Sequence, residues 1–246
     1  MCIDKNAPLS QLAADLASRG ALAVLLYGSV ARGEQDAGSD VDILEVVESA
    51  TEPFSQGQIQ ISPYTLARLQ EMAARGSLFV RHIVDEAKPL FDPEHILNRL
   101  RAAYQEVPDD THTRELRIAS GLLNVSQSYY DDFWPGLHAC ATFILRSLAY
   151  IEARQKGCTS FSMARVHSLL RDARLEHIKH LRESTTSCFP IYCEVIATIE
   201  SFQKSRAFNR FGSVEALTVN SWKVHDMTFV WGLRILTRNA ARFTYG

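Results

Sequence analysis

The 246-residue chain has no Cys-x-x-Cys pair, no low-complexity tract, no strong excess of either charge and no long apolar run. Each absence narrows the field. Five cysteines (Cys2, Cys140, Cys158, Cys188 and Cys193) are odd in number and widely scattered. They fit neither a disulfide framework nor a cysteine zinc site. Among the eight histidines, none stands in a His-x-x-x-His pair. His177 and His180 could share a helix face but lack a carboxylate partner at zinc spacing. No stretch reaches the roughly eighteen apolar residues of a membrane span. The opening text "MCIDKNAPLSQLAADLASRG" lacks the basic and apolar regions of a signal peptide. The expectation is a cytoplasmic protein without a membrane partner.

With 26 Lys and Arg against 28 Asp and Glu, the net charge of −2 carries little information, but its distribution does. Residues 1–100 hold 8 basic against 14 acidic side chains, leaving 18 against 14 for the rest. An acidic first part and a basic second part suggest two units, the second able to face a polyanion.

Periodicity supports that division. "PLSQLAADLASRG" places Leu9, Leu12, Ala13 and Leu16 at helical spacing and stops at Gly20. "ALAVLLYG" is a short continuous apolar run, read as a buried strand. A short helix breaking near Gly33, a polar loop and the strand "SDVDILEVV" follow. "GQIQISPYT" alternates as a third strand, with Pro63 expected to end central pairing. "TLARLQEMAARG" is an amphipathic helix, and "SLFVRHIVDEAKPLFDP" an apolar segment with a turn at Lys88-Pro89. From about Glu94 the text becomes helical almost throughout. "THTRELRIASGLLNVSQSYYDDF", "WPGLHACATFILRSLAYIEARQKG", "SMARVHSLLRDARLEHIKHLRE", "PIYCEVIATIESFQK" and a last helix from Ser213 onward make a bundle. The expected fold is α+β: a small mixed sheet with flanking helices over residues 1–93, then an α-helical bundle over 94–246.

Chemistry concentrates in "LLYGSVARGEQDAGSDVDILEVV", Leu25 to Val47. A strand that ends in Gly28-Ser29 and turns into a helix presents backbone N–H groups and a hydroxyl to an anion. Glycine there allows a sharp turn and close approach. In the next strand Asp40 and Asp42 stand two apart, so both side chains emerge on one face. Paired hard oxygens suit Mg²⁺, and Mg²⁺ beside a phosphate cradle suits attack on a nucleoside triphosphate.

These residues resemble the signature of the DNA polymerase β-like nucleotidyltransferase superfamily: Gly-Ser, a spacer of about ten, then Asp-x-Asp. The text is similar to that of the minimal nucleotidyltransferases, and the likeness is specific over residues 24–47. The resemblance implies that Asp40 and Asp42 are catalytic and bind Mg²⁺ in a two-metal site. It implies that Gly28 and Ser29 hold the triphosphate of an NTP, ATP foremost, with Arg32 as a phosphate-side or structural arginine and Ser39 at the start of the strand.

Active members carry a third carboxylate on a later strand. The matching position here is Gln60, whose amide brings no charge and cannot act as a general base. Glu45 points away from Asp40 and Asp42 by alternation. Asp85 or Glu86 could approach, and Glu115, Asp131 and Asp132 in the helical part are further candidates. The helical part resembles HEPN and related substrate-binding domains, with His167, Leu169 and Leu170 approximating their text. Arg171 and His177 approximate a HEPN ribonuclease motif. The aromatics Tyr129, Tyr130, Phe133, Trp134, Trp222, Phe229 and Trp231 could stack on a base or pack a core.

The expected function is Mg-dependent transfer of a nucleoside monophosphate to an acceptor hydroxyl or phosphate. The acceptor would be a protein or tRNA in a toxin–antitoxin or defence setting, or an aminoglycoside-like small molecule. Self-association is open. Two alternatives stand beside it: an antitoxin-like binding or regulatory module with little or no turnover, and a HEPN-type ribonuclease.

Overall fold

The computed structural model describes residues 7–35, 39–49 and 52–237, so Cys2, the loop 36–38 and the chain beyond Thr237 lie outside the described residues. The chain divides after Val107 into two compact units. The first is built on strands β1 (Ala23–Tyr27), β2 (Val41–Val47), β3 (Phe54–Gln56), β4 (Ile59–Thr65) and β5 (Lys88–Phe91). They form one sheet in the order β3-β4-β2-β1-β5. β2 and β4 run parallel and the other neighbours antiparallel. Helices α1 (Ala7–Ser18), α2 (Gly28–Arg32), α3 (Leu66–Ala74), α4 (Leu78–Glu86) and α5 (Ile96–Ala103) complete the unit.

Alternation along the strands separates two faces. Val24, Leu26, Ile43 and Ile61 pack with Leu9, Ala13 and Leu16 of α1. On the opposite face the Tyr27 ring meets Phe79 and His82 of α4 edge-on, and Tyr64 packs on Phe79. β1 is therefore covered on both sides, which is why its sequence is apolar at nearly every position.

The expected break at Pro63 does not occur. β4 continues past it to Thr65, and Pro63 pairs in register with Glu45 of β2. β3 reaches only as far as Phe54 opposite Ile61, so beside Pro63 the other edge of β4 has no partner strand. A proline without an N–H is tolerated at such a place. The expected boundary at 93/94 also moves. α5 packs against α3 and α4, Tyr104 Oη donates to the Gly76 carbonyl at 3.1 Å, and the Gln105 N–H donates to the Ala73 carbonyl at 3.0 Å. Residues 94–107 thus belong with the sheet.

The second unit contains α6 (Asp109–Ser120), α7 (Gln127–Gln155), α8 (Met163–Leu170), α9 (His177–Glu183), α10 (Phe189–Gln203), α11 (Val214–Ser221) and α12 (Asp226–Leu236). α7 is its central rod, packed against α6, α8, α9, α10 and α12. At 29 residues it is about 43 Å long. The sequence reading split this stretch before Trp134, but the helix runs through Pro135. Its start is fixed upstream, where the Ser126 hydroxyl accepts the Tyr129 N–H at 3.3 Å. Burial of the segment after Pro135 on several sides outweighs the one lost backbone bond. Two other expected helices divide in turn. Arg171, at φ +50°, ends α8 before a 3-10 turn at Ala173–Glu176. Lys223, at φ +67°, lies in the turn between α11 and α12.

Candidate active site

β1 delivers the chain to Gly28, where φ is +77°. L side chains avoid that region, so the bend needs glycine. Glycine is needed for a second reason: a Cβ at this position would collide with Asp42 Oδ2. The Asp42 carboxylate therefore lies directly on the backbone of the bend. The register explains the contact, since Tyr27, the residue before Gly28, pairs with Asp42. Asp40 stands one residue before β2, and the Val41 N–H bonds to the Gln58 carbonyl at 2.9 Å. Strand alternation extended through Val41 sets Asp40 on the face of Asp42. Asp40, Asp42, Ser29 and Ser39 are all half-buried. Two carboxylates, one with an oxygen against the glycine bend, are hard-oxygen donors, and this donor set fits a divalent cation.

Arg32 Nε lies 2.8 Å from Glu34 and its Nη1 2.6 Å from Glu86. The His82 Nε2 lies 2.9 Å from the same Glu86 carboxylate. Burial would pull the guanidinium down, but the hydrogen bonds to Glu34 and Glu86 raise it above its ordinary value. Arg32 thus ties α2 to the end of α4. Glu34 and His82 are members of this network that sequence reading missed. The His82–Glu86 spacing of four was the available signal, and it required recognising "LFVRHIVDE" as a helix.

In the parallel pair β2–β4, Gln60 is the register partner of Asp42. It occupies the position foreseen for a third carboxylate, and its Oε1 accepts a hydrogen bond from Ser55 Oγ at 2.6 Å. Glu45 lies on the other face, buried, where burial pushes its carboxyl up against the pull of Arg19. Asp85 is engaged with Arg81 at 2.5 Å. Among the described residues no three His, Cys, Asp or Glu side chains converge.

In the second unit Glu115, Asp131 and Asp132 are exposed. Arg171 and His177 stand on either side of the break between α8 and α9, with His177 Nε2 3.6 Å from Glu194. His177 and His180 have ring centroids 6.4 Å apart. Tyr130 and Trp231 are core residues, whereas Trp222 is exposed and meets the Phe229 ring edge-on. No described helix is long and apolar enough to cross a membrane.

Residues 9–87 match the family model described as a nucleotidyltransferase domain. No curated protein matches the chain. Among solved structures, the chain is similar to a nucleotidyltransferase-like protein from Exiguobacterium sibiricum 255-15, at 14% identity over 81% of this chain and 74% of that one, with a TM-score of 0.30. The matched residues span α1 through α4 and include the bend, both aspartates and Gln60. The first unit of this chain is accordingly a nucleotidyltransferase domain, and a mostly helical region follows it.

Proposed function

We propose that the first unit binds a magnesium–nucleoside triphosphate, ATP foremost, and transfers its nucleoside monophosphate to an acceptor hydroxyl or phosphate. The supporting observation is the packing of Asp42 Oδ2 onto the Gly28 bend, which sets a metal-binding carboxylate beside backbone able to approach phosphate. Asp40 and Asp42 hold the ion, while Ser29 and the neighbouring amides orient the β- and γ-phosphates. Bound there, the ion neutralises charge on the α-phosphoryl group and on the departing pyrophosphate. The acceptor oxygen forms a bond to the α-phosphorus as the bond from that phosphorus to the oxygen bridging the α- and β-phosphates breaks; pyrophosphate leaves with that oxygen, and the proton of a hydroxyl acceptor passes to solvent. Arg32 keeps α2, and with it the bend, anchored to α4. The helical unit selects the acceptor, which belongs to one of three classes: a protein, a tRNA or an aminoglycoside-like small molecule.

Incubation of the chain with Mg²⁺, cell extract and each of the four α-labelled NTPs tests this. The expected result is a labelled acceptor with stoichiometric pyrophosphate, falling at least about 100-fold in Asp40→Ala and in Asp42→Ala. Labelling that persists in both variants overturns the reading. A second reading, a nucleotide-binding module with little turnover, is favoured by one observation, the neutral Gln60 in register with Asp42.

A further inference from the structure

We infer that this site holds one divalent ion rather than two, and that Gln60, neutral where an acid would face Asp42, is the residue that removes the second position. The inference rests on the magnesium–nucleotide reading above and concerns how many ions that site accepts. Tyr27, Asp42 and Gln60 are successive register partners across β1, β2 and β4. Gln60 is therefore the lateral neighbour of Asp42 on the same face, about 4.8 Å away along the hydrogen-bonding direction. An acid there would face Asp42 across a gap that a cation can bridge.

The amide does the opposite. Its nitrogen carries only donors, which repel a cation, and its oxygen is its sole ligating atom. That oxygen accepts a hydrogen bond from Ser55 Oγ at 2.6 Å, which takes up one of its two lone pairs. Ser55 belongs to β3, on the far side of β4 from β2, so the ligating oxygen is drawn towards the sheet edge and away from Asp42. Nothing else replaces the missing acid among the described residues. Glu45 is on the opposite face, and Glu86 is held by Arg32 and His82. Asp40 and Asp42 together balance one divalent cation, so a second, about 4 Å from the first, would have only the nucleotide's phosphates for counter-charge. The ion carried by the nucleotide is kept. The ion that would polarise the acceptor oxygen is lost, and transfer to an un-ionised hydroxyl is correspondingly slow.

Counting bound Mn²⁺ tests the inference without relying on turnover. The full chain, saturated with a non-hydrolysable ATP analogue, is titrated with Mn²⁺, and free ion is followed by electron paramagnetic resonance. Wild type is expected to hold one Mn²⁺ per bound nucleotide, and Ser55→Ala also one, since the residue at 60 stays neutral. Gln60→Glu and the shorter Gln60→Asp are each expected to hold two, with transfer rising at least tenfold in one of them. Circular dichroism confirms that each variant is folded. Two ions in wild type, or one in both acidic variants, overturns the inference while leaving nucleotide binding intact. No ion and no nucleotide in wild type overturns the reading beneath it as well.

Discussion

Arg32 and His138 are both largely removed from water, but their surroundings differ in kind. Arg32, with its side chain 14% exposed, keeps its charge because Glu34 and Glu86 stand against it. His138, 3% exposed, has no counter-ion among the described residues and stays neutral. Its Nε2 lies 2.7 Å from Tyr130 Oη, and that oxygen already accepts the Cys188 N–H at 2.7 Å. Among the described residues no partner reaches Nδ1, and burial pulls the His138 pKa down to about 4. At Arg32 a buried charge is kept by pairing, whereas at His138 a buried polar group is kept uncharged.

The comparison breaks most readily at Glu86. Glu86→Ala removes one partner of Arg32 and an acid that pairs with His82. Leaving a buried guanidinium half-compensated costs about 3 kcal/mol, towards the lower end for a broken buried pair because Glu34 remains. Urea unfolding of the full chain measures it. Glu86→Gln keeps the shape and a hydrogen-bond acceptor but loses the charge. Equal losses in both variants locate the effect in charge, whereas a harmless glutamine would mean that the network works by packing alone.

His138 sharpens the other side. An unfolded imidazole binds its proton near pH 6.5, while the folded one does so near 4. Above about 6.5 both states are neutral and the stability is fully present. As the pH falls through 6.5 towards 4 the unfolded chain is protonated first, and stability is lost. At pH 5 the loss attributable to His138 is about 2 kcal/mol relative to pH 7. His138→Gln, which does not titrate, is expected to lose less between pH 7 and 5 than wild type by that amount. The difference between the two thermal unfolding curves isolates this one histidine from the others.

The charged end of the first unit was only partly legible in the sequence. Gly28-Ser29 and Asp40-x-Asp42 could be read because a tight bend and a period-two strand impose their residue types locally. The alternation that set Glu45 on the face opposite Asp42 was equally local, and the register agrees with it. The tie from Arg32 to Glu86 spans 54 residues and depends on α4 packing against Tyr27, which no local pattern announces. Ser55 was invisible for a similar reason, since β3 is three residues long and has no apolar alternation. In the helical unit the existence of helices was plain but their ends were not. Pro135 suggested a break that burial overrides, while Arg171 and Lys223 adopt positive φ without being glycine.

The smallest effect is expected at Glu45, and it tests whether the pairing seen at Arg32 holds there too. Glu45 is 7% exposed in the middle of β2, on the α1 face, and its sole favourable influence is Arg19 from the end of that helix. Burial outweighs that influence and raises the carboxyl above its ordinary range. Below that range Glu45 is protonated in both states and costs nothing. As the pH rises through it, the unfolded chain ionises first and stability is lost, and the deficit persists at neutral pH. Glu45→Gln abolishes the ionisation while keeping the volume, so it should stabilise the chain at pH 7 by about 0.5 kcal/mol and make no difference near pH 4. Urea midpoints at the two pH values decide it. Destabilisation at pH 7 would mean that Arg19 compensates the carboxylate after all, so that charge is kept by pairing at Glu45 as it is at Arg32.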